Sequence, residues 1–233
     1  MKKIKLSIVV PCYNEERILT TTVKKLEKFL FTNRKLFVGE IILVNDGSSD
    51  MTYKLSYLSA SNKSYIKVVT YPENMGKGYA VRQGIMYSKY NNILILDADL
   101  SVKPEEVLKP EVITKLEIDK PFIIAGQRVQ VVKQPIHRRF VGNVFSYLHR
   151  FLFRWDIIDS QSPFKILHNI PKEFVSELNI DGFAYDVELL YKAKQKNIPI
   201  YKVSVDYIND EDSKVTLRKT IRMGLDLFKV RYL

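Results

Sequence analysis

Length, composition and charge restrict the classes of protein to which this chain can belong. The 233 residues are 46% hydrophobic and 12% aromatic, which is typical of a globular protein with one large core and excludes a disordered chain. No apolar run reaches the roughly 18–20 residues that span a bilayer, and Cys12, the single cysteine, excludes a disulfide framework or a cysteine-based zinc site. The net charge of +11 predicts an anionic partner.

The first half of the chain alternates strand patterns with helix patterns. Such alternation predicts an α/β fold with a mostly parallel sheet, right-handed crossovers and helices on both faces. The pattern becomes irregular after residue 125, where amphipathic helices are expected, two of them basic. The predicted strands cover residues 6–10, 40–45, 66–70, 93–96 and 121–125, and the predicted helices cover 15–30, 51–59, 78–89, 138–153, 186–195 and the segment from Leu217.

A carboxylate pair follows the most apolar of these strands. Residues 93–96 are four branched aliphatic side chains, which are typical of a strand buried on both faces, and the carboxyl end of such a strand opens into the ligand-binding crevice of α/β proteins. Asp97 and Asp99 follow that end directly. Crowded carboxylates favour a cation, and a few hard oxygen ligands suit Mg²⁺ or Mn²⁺ shared with the phosphates of a substrate. The alternative is a strand end followed by a helix cap.

Two glycine-containing turns also follow predicted strands. In the turn at 46–50, serine and aspartate can cap the next helix, or Asp46 can accept a hydrogen bond from a base edge such as uracil N3 or guanine N1. The turn at 74–78 precedes a helix and carries Lys77, which makes it a natural anion site. It lacks the spacing of a Walker A loop, and Val81 stands where a dinucleotide-binding fingerprint has its third glycine.

Three further motifs have both a structural and a functional interpretation. Tyr13, at the end of the first strand, can be a buried ring or can stack on a nucleobase. The motifs at 159–165 and 185–190 place acidic residues beside aromatic ones. Each of these two motifs, taken alone, is more typical of a surface than of a catalytic site.

Two basic segments account for the uneven charge. Residues 128–154 hold six basic and no acidic residues, and residues 214–233 hold six basic residues against Asp226 alone. Aromatic and aliphatic residues alternate with the basic ones, which suits a membrane interface better than a DNA groove. We therefore expect an anionic membrane surface as a partner and no nucleic acid. The last predicted helix has an apolar stripe, which could instead pack on the core of the domain. The stripe comprises Leu217, Ile221, Leu225, Phe228 and Tyr232.

The order of four short motifs resembles that of family 2 inverting glycosyltransferases, which have the GT-A fold. The motifs are Val-Val-Pro-Cys-Tyr-Asn-Glu-Glu (9–16), Val-Asn-Asp-Gly-Ser-Ser-Asp (44–50), Asn-Met-Gly-Lys-Gly (74–78) and Asp-Ala-Asp (97–99). In the second half, the segments 159–165, 185–191, 212–215 and 223–233 look like those of the dolichyl-phosphate β-glucosyltransferase group, whose relatives include dolichyl-phosphate mannose synthases. The resemblance covers nearly the whole chain.

The resemblance implies one glycosyltransferase domain over residues 1–233, with a nucleotide-sugar-binding half at 1–125 and an acceptor-binding half at 126–233. The implied reaction is the metal-dependent, inverting transfer of a hexose, glucose from UDP-glucose, to a polyprenyl phosphate of the dolichyl type. The alternatives are a mannose synthase that uses GDP-mannose and a family 2 enzyme with a sugar acceptor, which would need a base. A nucleotidyltransferase would share the sheet, the metal and the sugar nucleotide.

The resemblance also implies roles for individual residues. Asp97 and Asp99 would hold Mg²⁺ or Mn²⁺, and Asp186 and Glu188 would either act as a base or orient the acceptor or the sugar. The nucleotide sugar would contact Pro11, Tyr13, Glu15, Asp46, Ser48, Lys77, Asp97 and Ala98. The acceptor phosphate would bind Arg128 with Arg138 or Arg139, and the acceptor would also contact Gln161 and Lys165.

Two features depart from the family pattern. Ser162 and Pro163 stand where the family usually has Cys-Gly before Phe-Lys, so the backbone of that loop need not be the same. Relatives often carry transmembrane anchors, whereas this sequence has no such segment, and its basic, apolar start is too short for a signal peptide. We therefore expect a cytoplasmic protein that binds peripherally to the cytoplasmic face of a membrane through its basic amphipathic helices.

Overall fold

The computed structural model describes residues 3–129, 162–208 and 217–232, and a seven-stranded sheet forms the centre of this part of the chain. The strands are β1 (Ile4–Cys12), β2 (Phe37–Asp46), β3 (Ile66–Tyr71), β4 (Asn92–Leu96), β5 (Phe122–Arg128), β6 (Phe164–His168) and β7 (Ile200–Val205). The helices are α1 (Leu19–Thr32), α2 (Thr52–Ala60), α3 (Lys77–Tyr87), α4 (Pro110–Ile113), α5 (Lys172–Ser176), α6 (Tyr185–Gln195) and α7 (Leu217–Tyr232). Two short 3₁₀ helices span Pro104–Leu108 and Lys115–Glu117.

The strands follow the order β3-β2-β1-β4-β6-β5-β7. Four pairings are parallel, namely β1 with β2, β1 with β4, β2 with β3 and β5 with β7. Strand β6 runs antiparallel to both of its neighbours, β4 and β5. The predicted α/β fold with a mostly parallel sheet is confirmed, whereas the sequence pattern does not predict the reversed strand.

Every strand and helix predicted before residue 126 is found, and the largest shift of an end is at α1. This helix begins at Leu19 and not at residue 15, because residues 16–18 form a turn, while the backbone N–H of Glu15 donates to Thr52 Oγ1 at 2.7 Å. The helices predicted at 186–195 and from Leu217 are also present, as α6 and α7. Strands β6 and β7 are not predicted, and the helix predicted at 138–153 lies outside the described residues.

Two apolar layers cover the two faces of the sheet. Helix α1 packs in one layer, and α3, α6 and α7 pack in the other. Strand β4 contributes Leu94 and Leu96 to the first layer and Ile93 and Ile95 to the second, so it is buried on both faces, as predicted. Full burial of each such side chain contributes about 1.5–3 kcal/mol. This strand therefore gives the carboxylates that follow it a rigid base.

The described half of α7 has one buried face and one exposed apolar face. Leu227 and Val230 pack in the core layer that also includes α6. Leu225, Phe228 and Tyr232, which belong to the predicted apolar stripe, are 61%, 45% and 78% exposed. The alternative that the stripe packs on the core is therefore wrong for these three side chains. Within the described ranges, no helix combines the length and the apolar character that crossing a bilayer requires.

Candidate active site

The carboxyl ends of β1 and β2 bring two of the predicted motifs together. Because these strands are parallel neighbours, the chain leaves both of them at the same edge of the sheet. The backbone N–H of Asn14 donates to Ser48 Oγ at 3.0 Å, and the N–H of Ser49 donates to Asn14 Oδ1 at 2.9 Å. Asn14 adopts a φ of 54°, which asparagine tolerates better than most residues. Pro11 and Ser48 are half-buried here, and Tyr13 is exposed.

Asp46 anchors the glycine-containing turn at 74–78. Its buried carboxylate accepts hydrogen bonds from Asn74 Nδ2 at 2.9 Å, from the Met75 N–H at 2.8 Å and from the Gly76 N–H at 3.0 Å. Gly47, which follows, has a φ of 60°, and a side chain there would collide with the backbone of Glu73. The contact of Asp46 with a nucleobase stays a prediction, and its first role in the structure is to hold this turn.

The same turn is held from its other side by residues that follow β6 in the chain. Gly76 has a φ of 103°, and a Cβ there would lie 2.5 Å from the carbonyl oxygen of Asp181. That oxygen accepts a hydrogen bond from the Gly78 N–H at 2.7 Å. Arg82 donates to the Ile180 carbonyl oxygen at 2.9 Å and forms an ion pair with Asp181. These contacts with Ile180 and Asp181 are not predictable from the sequence, because they join residues about a hundred positions apart.

Lys77 points from this turn to the aspartate pair, which is the name used below for Asp97 and Asp99. Lys77 Nζ lies 2.6 Å from Asp97 Oδ1. Burial acts to lower the pKa of Lys77, but the carboxylates of Asp97, Asp186 and Asp99 outweigh it and raise the pKa. The lysine predicted to bind an anion therefore lies among carboxylates, and a cation already fits beside Asp97.

The aspartate pair has an excess of negative charge. Burial raises the pKa of Asp99, the charge of Asp97 adds to the rise, and hydrogen bonds from Ser101 oppose it. Leu100 adopts a φ of 50°, a strained conformation for a residue with a branched side chain that turns the chain away directly after the pair. Ala98 between the two carboxylates is buried, and its carbonyl oxygen accepts a hydrogen bond from Thr22 Oγ1 at 2.5 Å.

These donors fit Mg²⁺ or Mn²⁺. Both metals take carboxylate oxygens, and Mg²⁺ commonly binds one or two carboxylates together with phosphates of a substrate. The ammonium group 2.6 Å from Asp97 shows that a positive charge is accommodated at this point. The described residues contain no cluster of three or more His, Cys, Asp or Glu side chains able to hold a metal. Asp97 and Asp99 would therefore supply two ligands, and phosphate oxygens of a substrate or water would supply the others.

Asp186 and Glu188, which sequence analysis treats alike, lie in different environments. Asp186 is buried and paired with Lys165, whose Nζ is 2.6 Å from Asp186 Oδ1. Burial raises the pKa of Asp186, the positive charges of Lys165 and Lys77 oppose the rise, and Asp97 adds to it. Asp186 thus lies near the residues around the aspartate pair, and its role in the site stays a prediction.

Glu188 is occupied by the backbone ahead of α6. It accepts hydrogen bonds from the N–H groups of Asn179 at 2.8 Å and of Ile180 at 2.8 Å, and it pairs with Lys192 at 3.0 Å. These contacts fix the segment ahead of α6, against which the turn at 74–78 packs. A role of Glu188 as a base or as an orienting group stays a prediction, while the structure gives it a supporting contact.

Arg128 ends β5 near the chain that follows the aspartate pair. Its guanidinium carbon lies 5.0 Å from the centre of the Tyr207 ring. Val102 forms a β-bridge with Tyr207, and the Ile208 N–H donates to the Ser101 carbonyl oxygen at 2.8 Å. Arg128 is thereby placed beside the segment that leaves Asp99. Arg138, Arg139 and Gln161, the other predicted acceptor contacts, lie outside the described residues.

A cavity of about 330 Å³ opens beside Asp46. Its wall comprises Asn45, Gly47, Ser48, Tyr53, Thr70, Tyr71 and Pro72. The buried Asn45 Oδ1 receives no hydrogen bond among the described residues, so it can accept one from a ligand. Of these residues only Ser48 was predicted to bind the nucleotide sugar, although Asn45 stands in the same motif, 44–50.

Comparison with known proteins identifies the family of the chain. The sequence matches the model of Glycosyl transferase family 2 over residues 7–175. It is 36% identical over 241 residues to the dolichyl-phosphate beta-glucosyltransferase of Mus musculus, which covers 97% of this chain and 74% of that protein. It is 34% identical to the dolichyl-phosphate beta-glucosyltransferase of Homo sapiens, with coverages of 97% and 74%.

Solved structures of other glycosyltransferases have a similar fold. A crystal structure of glucosyl-3-phosphoglycerate synthase from M. tuberculosis superposes with a TM-score of 0.67 at 17% identity, over 97% of this chain and 78% of that chain. A structure of the Mycobacterium tuberculosis enzyme with Mn²⁺, UDP-glucose and phosphoglyceric acid has a TM-score of 0.65 at 16% identity, with the same coverages. At this level of identity the likeness concerns the fold, and it confirms the predicted GT-A fold. Together with the family match over residues 7–175, it shows that the chain belongs to glycosyltransferase family 2 and is a glycosyltransferase.

Proposed function

We propose that this glycosyltransferase transfers glucose from UDP-glucose to a polyprenyl phosphate of the dolichyl type, with inversion at the anomeric carbon. The observation that carries the proposal is the similarity, over 97% of the chain, to proteins named dolichyl-phosphate beta-glucosyltransferase at 36% and 34% identity. The candidate active site supports it, because its charged groups suit a diphosphate bound next to a divalent cation.

The donor would bind along the edge formed by β1, β2 and β4. Tyr13, exposed at this edge, would stack on a base, and Asn45 Oδ1 in the cavity beside Asp46 would accept a hydrogen bond from a base N–H. Pro11, Glu15 and Ser48 would line the ribose. Lys77, at the start of α3, would bind the phosphates through its ammonium group.

Asp97 and Asp99 would hold Mg²⁺ or Mn²⁺, which when bound neutralises the charge that develops on the departing diphosphate. Lys77 is already 2.6 Å from Asp97, so a short movement of its ammonium group brings it to the same phosphates. Its positive charge would then stabilise the leaving group as well. The pairing with Asp97 keeps the lysine ordered before the donor arrives.

The acceptor phosphate would be held by Arg128 with Arg138 or Arg139, since guanidinium groups match phosphate oxygens in pairs. A phosphate monoester is largely ionised near neutral pH, so its oxygen can attack without a base. Positioning and exclusion of water are then the main contributions of the protein. Asp186 would orient the acceptor or the sugar, which agrees with its interaction with Lys77 and Asp97.

Transfer of radiolabelled sugar tests this proposal. Purified protein is incubated with UDP-glucose or GDP-mannose and with a polyprenyl phosphate, in the presence of Mg²⁺ or Mn²⁺, and the label is followed into the organic phase. We expect label from UDP-glucose only, and none without the lipid. Label from GDP-mannose alone would replace the proposed reaction with mannosyl transfer, and label in a water-soluble sugar acceptor would indicate another branch of family 2.

We also propose that the protein binds the surface of an anionic membrane on its cytoplasmic side through α7. The exposed Leu225, Phe228 and Tyr232 lie at helical spacing on one face, with Lys229 and Arg231 beside them. An amphipathic helix with basic flanks binds anionic bilayers, and each basic residue contributes about 1 kcal/mol near the surface. A polyprenyl acceptor is confined to the bilayer, so docking there would bring the enzyme to its substrate.

Flotation with liposomes tests the role of α7. We expect salt-sensitive binding to vesicles that contain anionic lipid, and a loss of about tenfold in binding for Phe228→Ser combined with Tyr232→Ser, as apolar contact with the bilayer is removed. The control combines Tyr57→Ser with Leu58→Ser, which are exposed on α2 and are similar in size. An equal loss in both double variants would reject α7 as the docking surface.

A further inference from the structure

Lys165 and Asp186 form a buried ion pair between two elements of the fold. Lys165 lies on β6, Asp186 lies in the first turn of α6, and the two side chains are 1% and 5% exposed. Lys165 Nζ is 2.6 Å from Asp186 Oδ1, and it also donates to the Ser162 carbonyl oxygen at 2.7 Å. Charged side chains are rarely buried to this extent unless they are paired, so each charge depends on the other.

The register of the sheet places this pair next to the groups expected to bind substrates. Lys165 is paired with Ile95 on β4 and with Ala125 on β5. The chain continues from Ile95 to Asp97 and from Ala125 to Arg128. Asp186 interacts electrostatically with Lys77 and Asp97 in addition to Lys165. The ion pair therefore lies between the donor side and the acceptor side of the candidate site.

A direct contact between Lys165 and the acceptor does not fit this geometry. The ammonium group would have to leave both Asp186 and Ser162 to reach a substrate, and the carboxylate of Asp186 would then stay buried without its counter-ion. The expectation that Lys165 binds the acceptor arose from its place in a motif, where its burial on a central strand could not be seen.

We propose that Lys165 is a positioning residue whose buried ammonium group holds Asp186 ionised and in one orientation beside Lys77 and Asp97. The inference rests on the proposed function, in which Asp186 orients the acceptor or the sugar. The positive charge of Lys165 stabilises the carboxylate of Asp186, which is buried away from solvent. By its second contact, with Ser162, it also fixes the chain that enters β6 relative to α6.

Kinetics of four variants test the inference. We expect Lys165→Met to lower kcat at least about a hundredfold, because a small displacement of an orienting group has effects of this size. The affinity for UDP, measured by calorimetry, should change by less than about threefold, since the donor groups remain. The double variant with Asp186→Asn should have the kcat of Asp186→Asn alone, as expected for two residues that act as one unit.

Lys67→Met is the matched control. Lys67 pairs with Glu40, a glutamate with a buried side chain, at 2.8 Å, far along the sheet from the aspartate pair. Its loss should lower the melting temperature and leave kcat unchanged. A Lys165→Met protein that folds and keeps more than about half of the wild-type kcat would overturn the inference. If Lys165→Met does not fold, the neutral double variant decides, and a kcat at least about tenfold below that of Asp186→Asn would overturn it.

A measurement without transfer activity separates this inference from the proposed reaction. Carbon-13 NMR of protein labelled at the aspartate carboxyl groups reports the ionisation of Asp186, whose signal is identified by its loss in Asp186→Asn. The groups that face Asp186 are Lys165, Lys77, Asp97 and Tyr185. We expect a carboxylate signal near neutral pH in the wild type and a carboxylic acid signal in Lys165→Met, because burial then lacks its main opposing charge. An unchanged signal would overturn the inference, whereas a wild type without transfer activity would overturn only the proposed reaction.

Discussion

Asp97→Asn and Asp99→Asn are each expected to lower the rate of transfer at least about a hundredfold while the fold stays intact, since a charge-stabilising ligand contributes several kcal/mol to the transition state. The aspartate pair ends a strand that is buried on both faces, so a neutral side chain of the same size leaves the packing unchanged. Initial rates with saturating donor and acceptor provide the measurement. Asp119→Asn is the control, because Asp119 is exposed and lies near the opposite ends of the strands.

Binding of Mn²⁺ distinguishes a metal ligand from a residue that only stabilises the site. In calorimetry with UDP present, Mn²⁺ affinity should fall in both variants and stay unchanged in Asp119→Asn. The wild type should lose activity in EDTA and regain it with Mg²⁺ or Mn²⁺. Full activity in an excess of chelator would contradict the assignment of Asp97 and Asp99 to a metal.

Asp46→Asn is expected to weaken UDP binding by at least about tenfold and to lower the free energy of unfolding by about 1–3 kcal/mol, the usual cost of leaving buried hydrogen-bond groups unpaired. Asparagine keeps one acceptor oxygen for the Met75 N–H, but its Nδ2 group is itself a donor and meets the donors Asn74 Nδ2 and Gly76 N–H, so the turn that carries Lys77 is held less firmly. Calorimetric titration with UDP and denaturant unfolding provide the two measurements.

Glu40→Gln offers a control on the same strand. Glu40 is a buried carboxylate near the other end of β2, where it accepts hydrogen bonds from Ser7 Oγ at 2.7 Å and from the Lys89 N–H at 2.6 Å. Its replacement should lower stability by a comparable amount and leave UDP affinity unchanged. A similar loss of affinity in both variants would mean that Asp46 affects nucleotide binding only through general stability.

The part of the site built from the first hundred residues was predictable, because it depends on a local rule. Runs of apolar residues end in polar turns, and parallel strands place those turns at one edge, so Ser48, Asp46 and Asp97 could be assigned to one region from the sequence. A hydrogen bond joins Asn14 to Ser48 and an ion pair joins Lys77 to Asp97, so these motifs are in contact, while their roles in binding stay predictions.

The second half was less predictable because its important contacts join distant residues. A lysine in a sequence is normally read as a surface residue, so the burial of Lys165 on a reversed strand could not be foreseen. The geometry of an α-helix is enough to predict that Asp186 and Glu188 lie in different environments. Two positions apart on a helix, side chains diverge by about 200°, so only one of the two can face the aspartate pair.

The turn at 74–78 has a consequence for synthesis of the protein on the ribosome. One of its anchors, Asp46, precedes it, but the other is the carbonyl oxygen of Asp181, which emerges about a hundred residues later. Domains form as their chain is completed during translation. The first 125 residues of a nascent chain therefore include the aspartate pair and Lys77, yet the turn that orients this lysine closes only after Asp181 has been added. We therefore expect the proposed nucleotide site to be complete only in a chain that includes Asp181.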